Sequence, residues 1–253
     1  MHAAVILHGA NGSAAEVWPI ATGLRRFAPV FVPDLSGHGG RPVPSLLRFA
    51  GIAADVLAQL DARCLQRVFF VGYSLGGTLG LYLARHHPER VIGVASLAAK
   101  VAFDRATIDK WTYLIDPARL SRPGNPRQFE LERIHFPQAW RDVALANRSM
   151  FLNLLEDPPL SGADLASISV PTLSLCGDAD QIVTQAESTD LVRRLRGAGG
   201  FFAGQAHPLA AVPLAAVTQA IGNWIHAVEH GKVAAPATAG EEGDRAGAGA
   251  GGQ

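Results

Sequence analysis

Ser74 stands in the run Val71-Gly72-Tyr73-Ser74-Leu75-Gly76-Gly77, where the spacing G-x-S-x-G falls on Gly72, Ser74 and Gly76. The apolar run Arg67–Tyr73 before it reads as a strand, and Thr78–His87 after it reads as a helix. A serine on a tight strand-to-helix turn has strained backbone angles, and only small neighbours fit beside it. Such a turn lifts Ser74 Oγ above the sheet edge, where the chemistry to expect is nucleophilic attack. The Leu75 N–H opens the new helix, faces the same space and carries its positive partial charge. It is one candidate donor to an oxyanion. The second is the Ala10 N–H, in the loop His8-Gly9-Ala10-Asn11-Gly12, where glycines let backbone approach a ligand closely. The competing reading of Gly72–Gly76 is a glycine-rich turn that binds phosphate or merely packs.

A nucleophilic serine needs a base, and the base needs an orienting acid. Of nine histidines, His86 and His87 precede Pro88 at a helix end, His226 and His230 fall on the last helix, and His135 lies in a long insertion. His8 reads as a buried architectural residue. His207, in Gly204-Gln205-Ala206-His207-Pro208, follows the last strand pattern and sits where a loop at the carboxyl edge of a sheet belongs. The acid lies in Cys176-Gly177-Asp178-Ala179-Asp180-Gln181-Ile182-Val183. An Asp-rich turn after a strand is also ordinary turn chemistry. Composition does not choose between the two aspartates. Asp178, next to Gly177, is placed to cap its own turn, and Asp180, further into the loop, is placed to reach a neighbouring loop.

The elements that must hold these residues read as strands at Ala3–Leu7, Val30–Pro33, Arg67–Tyr73, Val91–Leu97, Pro171–Cys176 and Gly200–Ala203. Most are nearly continuous apolar runs, as in strands covered on both faces of a parallel sheet. Helical patterns occupy 14–27, 46–63, 76–87, 184–196 and 210–229, and this alternation implies an α/β fold. One connection is out of rhythm. From Leu97 to Pro171 the chain spends more than 70 residues, including Trp111, Trp140 and six prolines, where one helix would serve. We expect a core of residues 1–99 and 170–230 and an inserted helical cap at 100–169. Residues 231–253 hold 7 Gly and 7 Ala, with Val233 the only large apolar residue, and are expected to form a disordered tail.

Composition narrows the function classes. The 253 residues carry 22 Lys+Arg and 22 Asp+Glu, a formal charge of zero, without the basic footprint that nucleic acid requires. Two cysteines, Cys64 and Cys176, make neither a disulfide scaffold nor a Cys-rich zinc site. The apolar N-terminal run stops at His8-Gly9, well short of the roughly 20 residues that span a bilayer, so no membrane association is expected and the location expected is cytoplasmic. The loop after the first strand has no G-x-G-x-x-G, no P-loop occurs, and neither H-E-x-x-H nor H-x-x-E-H is present. Neither a cofactor nor a metal is expected.

Five segments, in order, resemble the α/β-hydrolase superfamily: His8-Gly9; Pro33-Asp34-Leu35-Ser36-Gly37-His38-Gly39; Gly72–Gly76; Gly177-x-x-Asp180 with Ile182-Val183; and Gly204-x-x-His207. Pro88-Glu89-Arg90-Val91 is similar to the usual link after the nucleophile helix. The resemblance implies a mostly parallel sheet flanked by helices with a helical cap, and a triad in the chain order Ser74, Asp180, His207. It favours Asp180 over Asp178. Superfamily members usually begin with a β-hairpin before the H-G strand; here that strand starts at residue 3, so six strands are expected, with Val30–Pro33 at an edge. His8-Gly9 through Glu16-Val17-Trp18 looks like the carboxylesterases that cleave pimeloyl carrier-protein methyl ester. The function implied is a serine hydrolase of carboxylic esters or thioesters acting through an acyl-enzyme, on a small-molecule or carrier-bound acyl substrate. Its alternatives are C–C bond hydrolysis or lyase chemistry on the same triad, and a non-catalytic ligand-binding member of the fold. The oligomeric state is left open.

Overall fold

A computed structural model describes residues 1–236. Residues 237–253, most of the expected tail, lie outside the described residues. Just before them Val233 is half-buried and packs on a core cluster, while Lys232, Ala234 and Ala235 are exposed.

Among the described residues six strands form one sheet: β1 (Ala4–Leu7), β2 (Val30–Phe31), β3 (Val68–Tyr73), β4 (Val91–Leu97), β5 (Thr172–Gly177) and β6 (Ala198–Phe202). Their order is β2-β1-β3-β4-β5-β6 and every pairing is parallel. Burial on both faces explains the unbroken apolar runs. In β1, Val5 and Leu7 enter one core cluster while Ala4 and Ile6 enter the other, the period-two alternation of a strand. Helices α1 (Ala14–Leu24) and α10 (Leu214–Glu229) cover one face. Helices α2 (Phe49–Asp61), α3 (Leu75–His86) and α9 (Gln185–Leu195) cover the other. The edge strand β2 is shorter than its sequence pattern: only Val30 and Phe31 pair with β1. Pro33 has no N–H for the ladder, and so short an edge offers little to pair with another chain.

Between β4 and β5 lie α4 (Arg105–Leu114), α5 (Pro117–Leu120), α6 (Pro126–His135), α7 (Trp140–Asn153) and α8 (Gly162–Ser167). Helices α4 to α7 pack on one another, with a small core of Leu120, Leu131, Trp140 and Ala144. Ile108, Met150, Phe151 and Leu154 join the main core cluster and tie these helices to the sheet layer. Helix α8 packs instead on α3 and α9, with Asp164 bound to Arg85 of α3 at 2.8 Å. Among the described residues no helix is long and apolar enough to cross a membrane.

Candidate active site

The sharp turn after β3 puts Ser74 at φ 52°, ψ −116°, a region that costs an L-residue strain. The turn closes only because its neighbours lack side chains. A Cβ on Gly72 would stand 2.1 Å from the Gly76 carbonyl oxygen, and one on Gly76 would stand 2.3 Å from that of Leu7. The turn that carries Ser74 is thus pressed against the end of β1.

Ser74 Oγ lies 3.1 Å from His207 Nε2, and His207 Nδ1 lies 2.7 Å from Asp180 Oδ2. The structure therefore brings Ser74, His207 and Asp180 into one hydrogen-bonded chain. Asp180 is 6% exposed, and its Oδ1 accepts the Ile182 and Val183 N–H groups at 2.7 and 2.9 Å. Burial alone would raise its pKa. The hydrogen bond to His207, the charge of that ring when protonated and the two N–H donors outweigh this and hold it below the ordinary aspartate value.

The two aspartates divide their work differently from the sequence-based expectation. Asp178 does not cap its own turn. Its Oδ1 accepts the Gly204 N–H at 2.6 Å, on the loop that carries His207. Asp180 both caps its own turn and reaches His207. The two loops are joined further by Ala179 N–H to the Gln205 carbonyl at 3.1 Å.

Ala10 and Leu75 line the same cavity as Ser74 and His207. Among the described residues neither N–H is engaged in a hydrogen bond, so both are free to meet a ligand. Cys176 lies beside Asp180, but burial first, and the Asp180 charge second, push its thiol up to about 12. It offers no thiolate at neutral pH.

Three buried imidazoles hold the loops around this cavity. His8 Nε2 accepts the Leu35 N–H at 3.0 Å while Nδ1 faces the Gly9 carbonyl at 2.8 Å. His38 Nε2 pairs with the Asn147 amide at 2.9 Å, and Nδ1 with the Ser36 carbonyl at 2.9 Å. His135 Nδ1 accepts the Gly39 N–H at 3.2 Å, and Nε2 faces the Asn11 carbonyl at 3.3 Å. In each ring one nitrogen accepts and the other donates, which is the neutral form. Burial lowers all three, His8 well below the ordinary histidine value and His38 to about 4. The architectural role expected of His8 extends to a linked set that runs from the Gly9–Gly12 loop to α6 and α7.

Sequence reasoning missed four charged residues that line the cavity: Glu16, Lys100, Arg127 and Glu130. Glu16, in the first turn of α1, accepts the Gly9 N–H on Oε2 at 3.2 Å, and a Cβ on Gly12 would stand 2.0 Å from that oxygen. Burial raises its carboxyl, against the lowering effect of Arg127. An acidic residue in a first helical turn ordinarily complements the helix dipole, so no local signal shows that this one turns inward. Lys100 is 6% exposed and bonds Glu187 and the Ile182 carbonyl, next to Asp180. Arg127, at the start of α6, pairs with Glu130 at 2.6 Å and reaches the Asn11 carbonyl at 3.5 Å.

The cavity holds about 700 Å³, and most of its lining is apolar, with Phe103, Trp111, Ile115 and Phe151 contributed by α4, α7 and adjoining turns. That is a size and character suited to a small organic ligand. Among the described residues no group of three or more His, Cys, Asp or Glu side chains is gathered in a way that could hold a metal ion.

Comparison with known proteins agrees with this architecture. The sequence pattern of the α/β hydrolase fold matches residues 4–162. The pimeloyl-[acyl-carrier protein] methyl ester esterase of Neisseria meningitidis serogroup B is 30% identical over 191 residues, 67% of this chain and 71% of that protein. The biotin biosynthesis bifunctional protein BioHC of Cellvibrio japonicus is 37% identical over 100 residues, 39% of this chain but only 19% of that longer protein. The solved structure of a thermophilic esterase from Thermogutta terrifontis superposes with a TM-score of 0.74 at 20% identity, covering 90% of each chain. The chain belongs to the α/β hydrolase fold family and is a hydrolase.

Proposed function

We propose that this hydrolase cleaves a carboxylic ester or thioester through an acyl-enzyme on Ser74. The observation that carries the reading is the Ser74–His207–Asp180 hydrogen-bonded chain opening on an apolar cavity. Ser74 Oγ attacks the acyl carbonyl carbon while His207 Nε2 takes the hydroxyl proton. Asp180 holds Nδ1–H, which leaves Nε2 free to accept, and stabilises the imidazolium once formed. The Ala10 and Leu75 N–H groups donate to the tetrahedral oxyanion, and each such donor is worth roughly 3 kcal/mol. His207 then returns the proton to the departing alkoxide or thiolate. Water attacks the acyl-enzyme by the same route, giving the free acid and restoring Ser74.

Helices α4 to α7 form the cap in this reading and select the acyl group through their apolar cavity wall. The esterase relative is named for a carrier-bound methyl ester, which supports an acyl group attached either to a small alcohol or to a carrier. A cytoplasmic location is part of the proposal, in keeping with the two free cysteines. The test is hydrolysis of p-nitrophenyl esters of increasing acyl length, with a C–C bond substrate alongside, together with labelling by a fluorophosphonate. We expect ester turnover and a single label on Ser74. Cleavage of the C–C substrate without ester turnover would overturn the reading.

A further inference from the structure

Phe49 and Leu154 stand at a boundary that the chemistry at Ser74 leaves unexplained. Phe49 opens α2 and Leu154 follows the last turn of α7; they are 6% and 4% exposed. Both line the catalytic cavity, and both also line a second cavity of about 270 Å³ between α2, α3 and the end of α7. The Phe49 ring lies 6.1 Å from that of Tyr82, whose ring in turn lies 4.2 Å from that of His86. Arg48 and Asp157, both lining the second cavity, meet there at 3.2 Å. Two side chains thus separate a mostly apolar chamber beside the nucleophile from a smaller one of mixed polarity.

We infer that Phe49 and Leu154 form the wall that sets how long an acyl chain the enzyme accepts, and that the second cavity is the space a longer chain would enter. This rests on the ester-hydrolase reading above. A linear acyl group attached to Ser74 extends through the apolar chamber and stops at these two residues. Removing either side chain joins the chambers. Each additional methylene buried is worth about 0.8 kcal/mol, which is about fourfold in kcat/KM. Beyond the wall that gain is not available to the native enzyme.

The experiment compares kcat/KM across linear p-nitrophenyl esters from C4 to C14 for the native chain, Phe49→Ala and Leu154→Ala. The native profile should rise and then fall at a definite chain length. In either variant the ratio of long-chain to short-chain kcat/KM should increase at least tenfold. Ala50→Trp, from the exposed start of α2, adds bulk to the second cavity. Combined with Phe49→Ala it should return the ratio to the native value. An unchanged ratio in a variant that still takes the fluorophosphonate label would overturn the wall. So would a raised ratio that persists in the Ala50→Trp double variant. Leu154→Ala carries the test if Phe49→Ala fails to fold. Failure of the native chain to cleave any ester in the series, with no labelling, would instead overturn the reading of the site on which the wall rests.

Discussion

The Tyr73 hydroxyl donates to the His207 carbonyl at 2.9 Å. The residue just before the proposed nucleophile therefore grips the backbone of the proposed base, and the two rings lie 5.5 Å apart. On its other side the Tyr73 ring fills the space a side chain on Gly9 would need, since a Cβ there would stand 3.0 Å from it. One aromatic residue thus spaces the strand that leads to Ser74, the candidate oxyanion loop and the histidine loop.

Tyr73→Phe keeps the ring and removes this one hydrogen bond. A typical net contribution is about 1 kcal/mol, so the melting temperature should fall by about 2–4 °C for a domain of this size. His207 is left less firmly held, and kcat should fall up to tenfold with KM little changed. Thermal unfolding and steady-state kinetics on one ester check both. A variant indistinguishable from the native chain in kcat would remove Tyr73 from the positioning of His207.

Asp180→Asn should reduce kcat/KM by about 10⁴-fold, the loss such a change produces in a serine protease, because the amide favours the wrong imidazole tautomer. Asp178→Asn should behave differently. It weakens a charge-assisted bond to Gly204 and loosens the histidine loop, so a loss below tenfold is expected, accompanied by lower stability. Measuring both variants on one substrate separates the roles. A greater loss at Asp178 would reverse them.

Glu16→Gln preserves an acceptor for the Gly9 N–H, whereas Glu16→Ala leaves that donor buried without a partner. We expect the glutamine variant to stay within threefold of native kcat and the alanine variant to lose tenfold or more. Equal losses in both would show that the carboxyl acts through its charge and not by positioning the loop. Measuring kcat and KM separately on a short ester makes the comparison, because loop displacement should fall mainly on kcat.

The three neutral histidines give stability a defined pH dependence. Their folded values lie below that of an unfolded histidine, near about 6.5. On acidification the unfolded chain takes up protons first. Stability is therefore full above about pH 6.5 and is lost below it, by up to about 1.4 kcal/mol per pH unit for each histidine. For His38 the loss continues down to about pH 4. Denaturant unfolding between pH 7.5 and 5 should show this slope, and His38→Asn should make it shallower even if it lowers stability at pH 7.5. An unaltered slope in that variant would exclude His38 as a contributor.

Several features were legible in the sequence because they are local. Burial of both faces writes strands as apolar runs, and the turn at Ser74 writes itself as glycines at fixed offsets. Those two signals, with the family pattern around Asp180 and His207, were enough to assign the fold, a sheet of six strands and the candidate nucleophile. The tertiary structure decided what depends on residues far apart in the chain. Ser74 and His207 are 133 residues apart, and their contact follows from strand order and from loops that meet at one edge of the sheet. Which nitrogen of His207 meets which carboxylate oxygen, and that Asp178 anchors Gly204 instead of capping its own turn, follow from the packing of those two loops. The inward turn of Glu16, the neutral set of His8, His38 and His135, and the wall formed by Phe49 and Leu154 each join segments from different elements. Hydrophobic period and turn chemistry report on a few neighbouring residues at a time. Contacts between elements are fixed only when the whole chain excludes water from its core, so no single stretch of sequence records them.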